Sequence, residues 1–207
     1  NVTSEADTTY EGAETFTLTA VASGGGSSNA TATIVDDGTG TKYDGTITSG
    51  TINGSTTSLD NDLSVAVTAS GPVNEGSTYA MFTVDATVGQ ALTLTLGNTA
   101  TSADTDATIA GFTPLQYSVD GGATWTTYTW NGTTGNQPTV PAGGKVFVRV
   151  NVTSEADTTY EGAETFTLTA AIATGAGKSS SGTATIVDDG TGTKYDGTIT
   201  SGTINGS

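Results

Sequence analysis

The sequence predicts an all-β chain built as an antiparallel β-sandwich in tandem repeats. Three observations carry this: apolar residues recur at every second position, Gly, Asn, Asp and Pro interrupt them at intervals of roughly eight to fifteen residues, and long blocks of sequence occur twice.

The duplication sets the domain plan. Residues 1–20, NVTSEADTTYEGAETFTLTA, return unchanged at 151–170, and residues 31–55, TATIVDDGTGTKYDGTITSGTINGS, return unchanged at 183–207. The offset grows from 150 to 152 between the two blocks, so the length change lies in the tract 21–30, matched by 171–182. An insertion at such a place marks a surface loop. A period of about 150 residues is a full domain, far longer than a solenoid repeat. The expected plan is the C-terminal part of a preceding repeat at 1–35, a linker at 36–62, a complete sandwich repeat at 63–189, and the start of the next linker at 190–207. Two copies of the closing strand pair then compete for one place. The 151–187 copy, joined directly to Val150, is expected to win it.

Within the complete repeat the period-two runs fall in order: Leu63, Val65 and Val67; Tyr79 to Val84; Leu92, Leu94 and Leu96; Gln116 to Val119; Val146, Val148 and Val150; Phe166, Leu168 and Ala170; Ala184 and Ile186. Asp120-Gly121-Gly122 reads as a hairpin turn, because Gly adopts the positive φ that such turns require. About seven strands in one such repeat suit an immunoglobulin-like sandwich. Trp125, Trp130 and Phe147 read as core or edge-covering aromatics.

Charge and composition narrow the function. Of 207 residues, 21 are Asp or Glu and only five are Lys or Arg, for a formal net charge of -16. Such a surface repels DNA, RNA and anionic lipid headgroups, so nucleic-acid binding and direct membrane contact are set aside. There is no run of about eighteen apolar residues and no basic-then-apolar leader, which reads as an interior stretch of an exported chain. Cysteine and histidine are both absent, so thiol and imidazole chemistry and the usual zinc and copper ligands are excluded, and only oxygen donors remain. Abundant Thr, Ser, Gly and Ala with little Lys points to an extracellular, bacterial cell-surface setting.

The carboxylates gather in short clusters, and clusters of that kind call for a cation. Calcium takes six to eight hard oxygens at about 2.3–2.6 Å, and carboxylates collected at one end of a sandwich repel one another unless a divalent ion neutralises them. In the linkers, Asp36 and Asp37 at the end of one domain can share such an ion with Glu75, or with Asp60 and Asp62 at the start of the next, turning a Gly- and Thr-rich joint into a stiff strut.

Glu75-Gly76, the stretch from Asp157 through Tyr160-Glu161-Gly162 to Phe166, and the closing Ala184-Thr185-Ile186-Val187-Asp188-Asp189 resemble the motifs of a Calx-beta module, over roughly residues 63–189. Together with the long near-identical period, the chain is similar to the extender repeats of giant RTX-type bacterial adhesins. The resemblance implies a calcium site at one pole held by Glu75, Asp157, Glu161, Asp188 and Asp189, with Asp104 or Asp106 supplying a further oxygen. It also implies a non-enzymatic spacer whose partners are the neighbouring repeats of the same chain.

Plainer readings stand beside these. Asp188-Asp189-Gly190 also reads as a solvated turn, Glu155, Asp157, Glu161 and Glu164 as a solubilising loop, and Asp60-Asn61-Asp62 as Asx turns without the rest of an EF-hand. A glycan-binding module using Trp125, Tyr128 and Trp130 is the alternative function, and it requires an exposed aromatic row. Carboxylate pairs can serve glycoside hydrolysis, but near-identical copies suit a length device better than an enzyme.

Overall fold

Alternating Thr and apolar residues give this chain strands with one greasy and one polar face, and such a strand is stable only when a second sheet covers the greasy face. The computed structural model describes residues 6–7, 9–98, 112–173 and 177–207. The chain divides into two compact units, residues 1–63 and 64–207.

Unit 1 holds two hairpins. Strands β1 (Glu14–Val21) and β2 (Ser27–Ile34) pair antiparallel from Glu14 opposite Ile34 to Val21 opposite Ser27. Strands β3 (Lys42–Thr48) and β4 (Thr51–Ser55) pair with an irregularity between Tyr43 and Ile47. Every residue of β1 is exposed, including Leu18 at 66%.

Unit 2 is the sandwich. Its strands in chain order are β5 (Val65–Ala69), β6 (Val73–Asn74), β7 (Tyr79–Ala86), β8 (Leu92–Asn98), β9 (Leu115–Ser118), β10 (Thr126–Thr127), β11 (Lys145–Asn151), β12 (Glu164–Ile172), β13 (Ser179–Val187), β14 (Ile199–Thr200) and β15 (Thr203–Ile204). One sheet runs β10-β9-β11-β7-β5 and the other β6-β13-β12-β8, antiparallel except for the short parallel match of β13 with β6. Among the described residues the single helical element is a 3₁₀ turn at Thr153–Glu155, and no helix is long and apolar enough to cross a membrane.

The core lies between these sheets. In β12, Phe166, Leu168, Ala170 and Ile172 alternate inward, and in β7 Ala80, Phe82 and Val84 do the same. Phe82 meets Phe166 edge-on at 5.8 Å between ring centroids, and Phe112 tilts against Phe166 at 4.9 Å. These are favoured aromatic geometries. Edge strand β5 approaches β13 closely, with Val67 N donating to Ser180 Oγ at 3.2 Å. Gly182 permits that approach, since a Cβ there would lie 2.9 Å from Val67 Cγ1. The 151–187 copy of the closing strand pair occupies the sandwich, as its covalent adjacency to Val150 predicts.

The Asp120 turn forms as expected, joining β9 to β10 with Tyr117 opposite Thr126. Asp120 accepts from Thr124 N at 3.0 Å and from Thr124 Oγ1 at 2.5 Å. These bonds, with a further one from Ser118, hold its carboxyl down at about 2. Arg149 lies between the rings of Tyr79 and Trp125, 4.3 and 4.2 Å from their centroids, so Trp125 covers a cation at the sheet surface.

The segment 190–207, read from the sequence as the start of a linker, belongs to unit 2. Thr193 bridges Val73 and Tyr195 bridges Tyr79. Tyr195 is 6% exposed, its N–H donates to Ser77 Oγ at 2.8 Å, its carbonyl accepts from Tyr79 N at 3.1 Å, and its hydroxyl donates to the Ser70 carbonyl.

The duplicated leucines give a direct test of this packing. Replacing Leu168, which is fully buried, by Ala should cost unit 2 about 2–5 kcal/mol in urea unfolding. Leu18→Ala, in an identical heptapeptide but exposed, should change stability by less than about 0.5 kcal/mol.

Candidate functional site

Two kinds of carboxylate occur, and they are distinguished by what the chain does locally. In the first, the acid closes an Asx turn on the Thr two residues ahead. Asp189 accepts from Thr191 N at 2.9 Å and from its hydroxyl at 2.5 Å, and Asp37 accepts from Thr39 N and Oγ1 at 3.0 and 2.5 Å. Asp44 and Asp196 do the same with Thr46 and Thr198. The Thr hydroxyl and then the Thr N–H pull the carboxyls of Asp44, Asp189 and Asp196 below the usual range, because both donors favour the charged form. In each of these turns one carboxylate oxygen, Oδ1, takes both bonds.

In the second kind, the acid ties distant segments together. Asp188 Oδ2 accepts from Glu161 N at 2.8 Å, fastening the loop before β12 to the end of β13. The duplicate does the same: Asp36 Oδ2 accepts from Glu11 N at 2.8 Å. Asp157 and Asp7 each cap the N–H two residues on, at 2.6 and 2.7 Å.

At the pole of unit 2, Glu75 is held next to β13 by its own N–H, which donates to the Val187 carbonyl at 3.0 Å. Desolvation raises the Glu75 carboxyl first, then a hydrogen bond with the Asp188 carboxyl, then the charges of Asp188 and Asp157, against a lowering pull from Lys194. Glu75, Asp157 and Asp188 are therefore brought into electrostatic reach of one another. In unit 1 a parallel group forms: desolvation raises Asp62, followed by the charges of Asp60 and Asp36, a hydrogen bond with Asp36, and the charge of Asp7. Asp62 N also donates to the Asp36 carbonyl at 3.4 Å, and Asp37 bridges Asn61.

The ten sequence-predicted positions thus separate. Glu75, Asp157 and Asp188 share one pole, with Glu161 tied there through its backbone, while Asp36, Asp60 and Asp62 gather in unit 1. The carboxylates of Asp37 and Asp189 turn into Asx turns. Asp104 and its alternative Asp106 lie outside the described residues. Among the described residues, no group of three or more acidic side chains is close enough to hold a metal directly. The donors are hard oxygens, as calcium requires, in an open arrangement.

Two neighbours differ from the sequence reading: Glu155, read there as part of a solubilising loop, is buried, and Lys194 was not singled out. Glu155 is 4% exposed, with Oε1 accepting from Ser154 Oγ at 2.9 Å and Oε2 without a hydrogen-bond partner. A buried, unpaired carboxylate oxygen carries a desolvation penalty. Lys194 sits against Gly76 and faces Glu75. The signal for Glu155 is its place in the Asn151–Glu155 turn; Lys194 falls in the tract read as linker.

Of the aromatics that a glycan-binding row would use, Trp125, Tyr128 and Trp130 are each half-buried. The Trp125 face is taken by Arg149, and the Tyr128 hydroxyl accepts from Leu94 N at 3.0 Å.

No family model matches this chain, and no curated protein does. Among solved structures, AggA, the major subunit of aggregative adherence fimbriae type I from Escherichia coli, is similar at 20% identity over 63% of this chain and 97% of its own, with a TM-score of 0.40. The periplasmic chaperone SfaE aligns at 10% identity over 61% of this chain and 58% of its own, with a TM-score of 0.31. A 1.5-MDa bacterial ice-binding adhesin aligns at 16% identity over 86% of this chain and 42% of its own, with a TM-score of 0.26. With TM-scores this low, the likeness carries no argument about this chain's role.

Proposed function

We propose that this chain is a structural extender of a bacterial cell-surface adhesin, a spacer that catalyses nothing and is stiffened by calcium at the domain pole and linker. The observation that supports it best is that an acidic cluster forms around each copy of the duplicated strand pair, on Asp188 in one unit and Asp36 in the other. Asp188 and Asp36 each bind the backbone of an upstream loop at 2.8 Å, and each has a neighbouring carboxyl, Glu75 or Asp62, pushed up partly by the acids around it. A repeated passive feature of this kind fits a part whose product is length. Calcium would be held by Glu75, Asp157 and Asp188 in one unit and by Asp36, Asp60 and Asp62 in the other. There it would neutralise the repulsion among these carboxylates.

Binding restricted to the folded state stabilises by RT ln(1 + [L]/Kd), about 2.7 kcal/mol at a hundredfold excess over Kd. For a domain of this size that is roughly 5–10 °C in Tm. Calcium in excess should therefore raise the melting temperature relative to EDTA, magnesium should not, and Asp188→Asn should abolish most of the rise. An equal Tm in calcium and EDTA would remove the ion from the account.

The sign of the pH dependence gives a separate check. A carboxyl raised in the folded state contributes stability that is fully present below its ordinary 4.5 and is lost as pH rises through the folded value. In EDTA, Glu75→Gln should therefore lessen the loss of stability between about pH 4 and pH 7. In calcium at neutral pH the same substitution should lower Tm.

A further inference from the structure

The same amino acids appear here in two environments, one covered and one bare. In unit 2, Phe166 is 2% exposed, Leu168 and Ala170 are fully buried, and Tyr195 is 6% exposed, all packed within a unit whose remaining strands come from residues 64–151. Their duplicates in unit 1 are open: Phe16 is 36% exposed, Leu18 66% and Tyr43 63%. Ile47 and Ile52, on the β3–β4 hairpin beside Tyr43, are 67% and 63% exposed.

The bare copy is already shaped for its cover. β1 pairs with β2 in the register of β12 with β13: Phe16 faces Ala32 as Phe166 faces Ala184. Ile47 faces Ile52 as Ile199 faces Ile204. Asn53 Nδ2 donates to Thr46 and Thr48 Oγ1, both at 2.8 Å, as Asn205 does to Thr198 and Thr200 at 3.1 and 2.8 Å. The Asp36 tie to Glu11 matches the Asp188 tie to Glu161. What unit 1 lacks is the body against which this surface packs.

We propose that residues 6–55 form a docking face for a second body of the 64–150 sequence, placed in the same chain directly ahead of residue 1 as Val150 is placed ahead of Asn151. The chemistry that identifies the occupant is on display in unit 2. It must offer the Phe82 and Val84 face to β1, and the Ser70 carbonyl, the Ser77 hydroxyl and the Tyr79 edge to Tyr43. The module boundary of the array then falls within residues 56–63, not across 36–62, and the tract at 42–55, like that at 194–207, is a latch that closes its own module. A connection as short as 56–63, with Asp62 and Asn61 tied back to Asp36 and Asp37, leaves little free chain between modules. This holds whatever ion occupies the acidic pole.

One contact differs between the copies. Ala30 stands where Gly182 lies against Val67, and a Cβ there would lie 2.9 Å from Val67 Cγ1 and 3.1 Å from its carbonyl oxygen, so the incoming β5 must shift away from this position.

The chain has no cysteine, so a single introduced thiol reports burial cleanly. Thiol labelling would be measured for Leu18→Cys and, as a milder change, Ala20→Cys, in the full chain and in the full chain extended at its N-terminus by a second copy of residues 64–150, each in EDTA and in calcium. Leu168→Cys and Ala170→Cys mark the covered state. Both unit 1 thiols should label freely in the unextended chain and slow by at least about tenfold on extension, as expected when local exposure gives way to protected core. Ala30→Gly should slow them further. Equal labelling with and without the extension for both thiols would overturn the proposal. So would protection that appears in the unextended chain as its concentration rises, which would assign the face to a second molecule.

Discussion

An amphipathic strand pair cannot cover its own apolar face, and that constraint governs this chain. β12 and β13 satisfy it by facing β7 and β5 across Phe82, Phe112 and Phe166. Every other feature of unit 2 sits around that closure. Gly182 gives room for β5, Arg149 fills the space between Tyr79 and Trp125, and Tyr195 seals the edge near Ser77. β1 and β2 carry the same alternation, and among the described residues β1 is exposed along its whole length.

The acidic pole depends on the same closure. Asp188 follows β13, Glu75 follows β6, and Asp157 lies in the loop that leads to β12, so the three come together because β6 and β12 flank β13 in one sheet. Gathering them costs electrostatic energy. Lys194, which the segment after β13 brings back beside Gly76, offsets part of that cost. A divalent ion would act on the same balance more strongly, so cation binding and rigidity are joined in the proposed spacer role.

Much of the local structure was legible in sequence, and the reason is distance along the chain. Strand positions followed from the period-two pattern, and the Asp120 turn from its two glycines. The tract 190–207 was less legible: its Gly and Thr content reads as a loose linker, and its strands are only two residues long. What makes it part of the sandwich is Tyr195 reaching Ser70 and Ser77, more than a hundred positions away. The candidate site divides along the same line. Its residue types and their two clusters could be read directly, whereas the turning of Asp37 and Asp189 away from the pole, and the approach of Lys194 to Glu75, could not.

By itself the sequence determined the all-β class, the strand positions and the Asp120 turn, because each of these is settled by near neighbours and by the alternation of side chains. Tertiary structure alone decided burial. Leu18 and Leu168 have the same neighbours on either side, and one is 66% exposed while the other is fully buried. The difference lies in a second sheet supplied from residues remote in the chain, and no local pattern encodes whether that sheet is present.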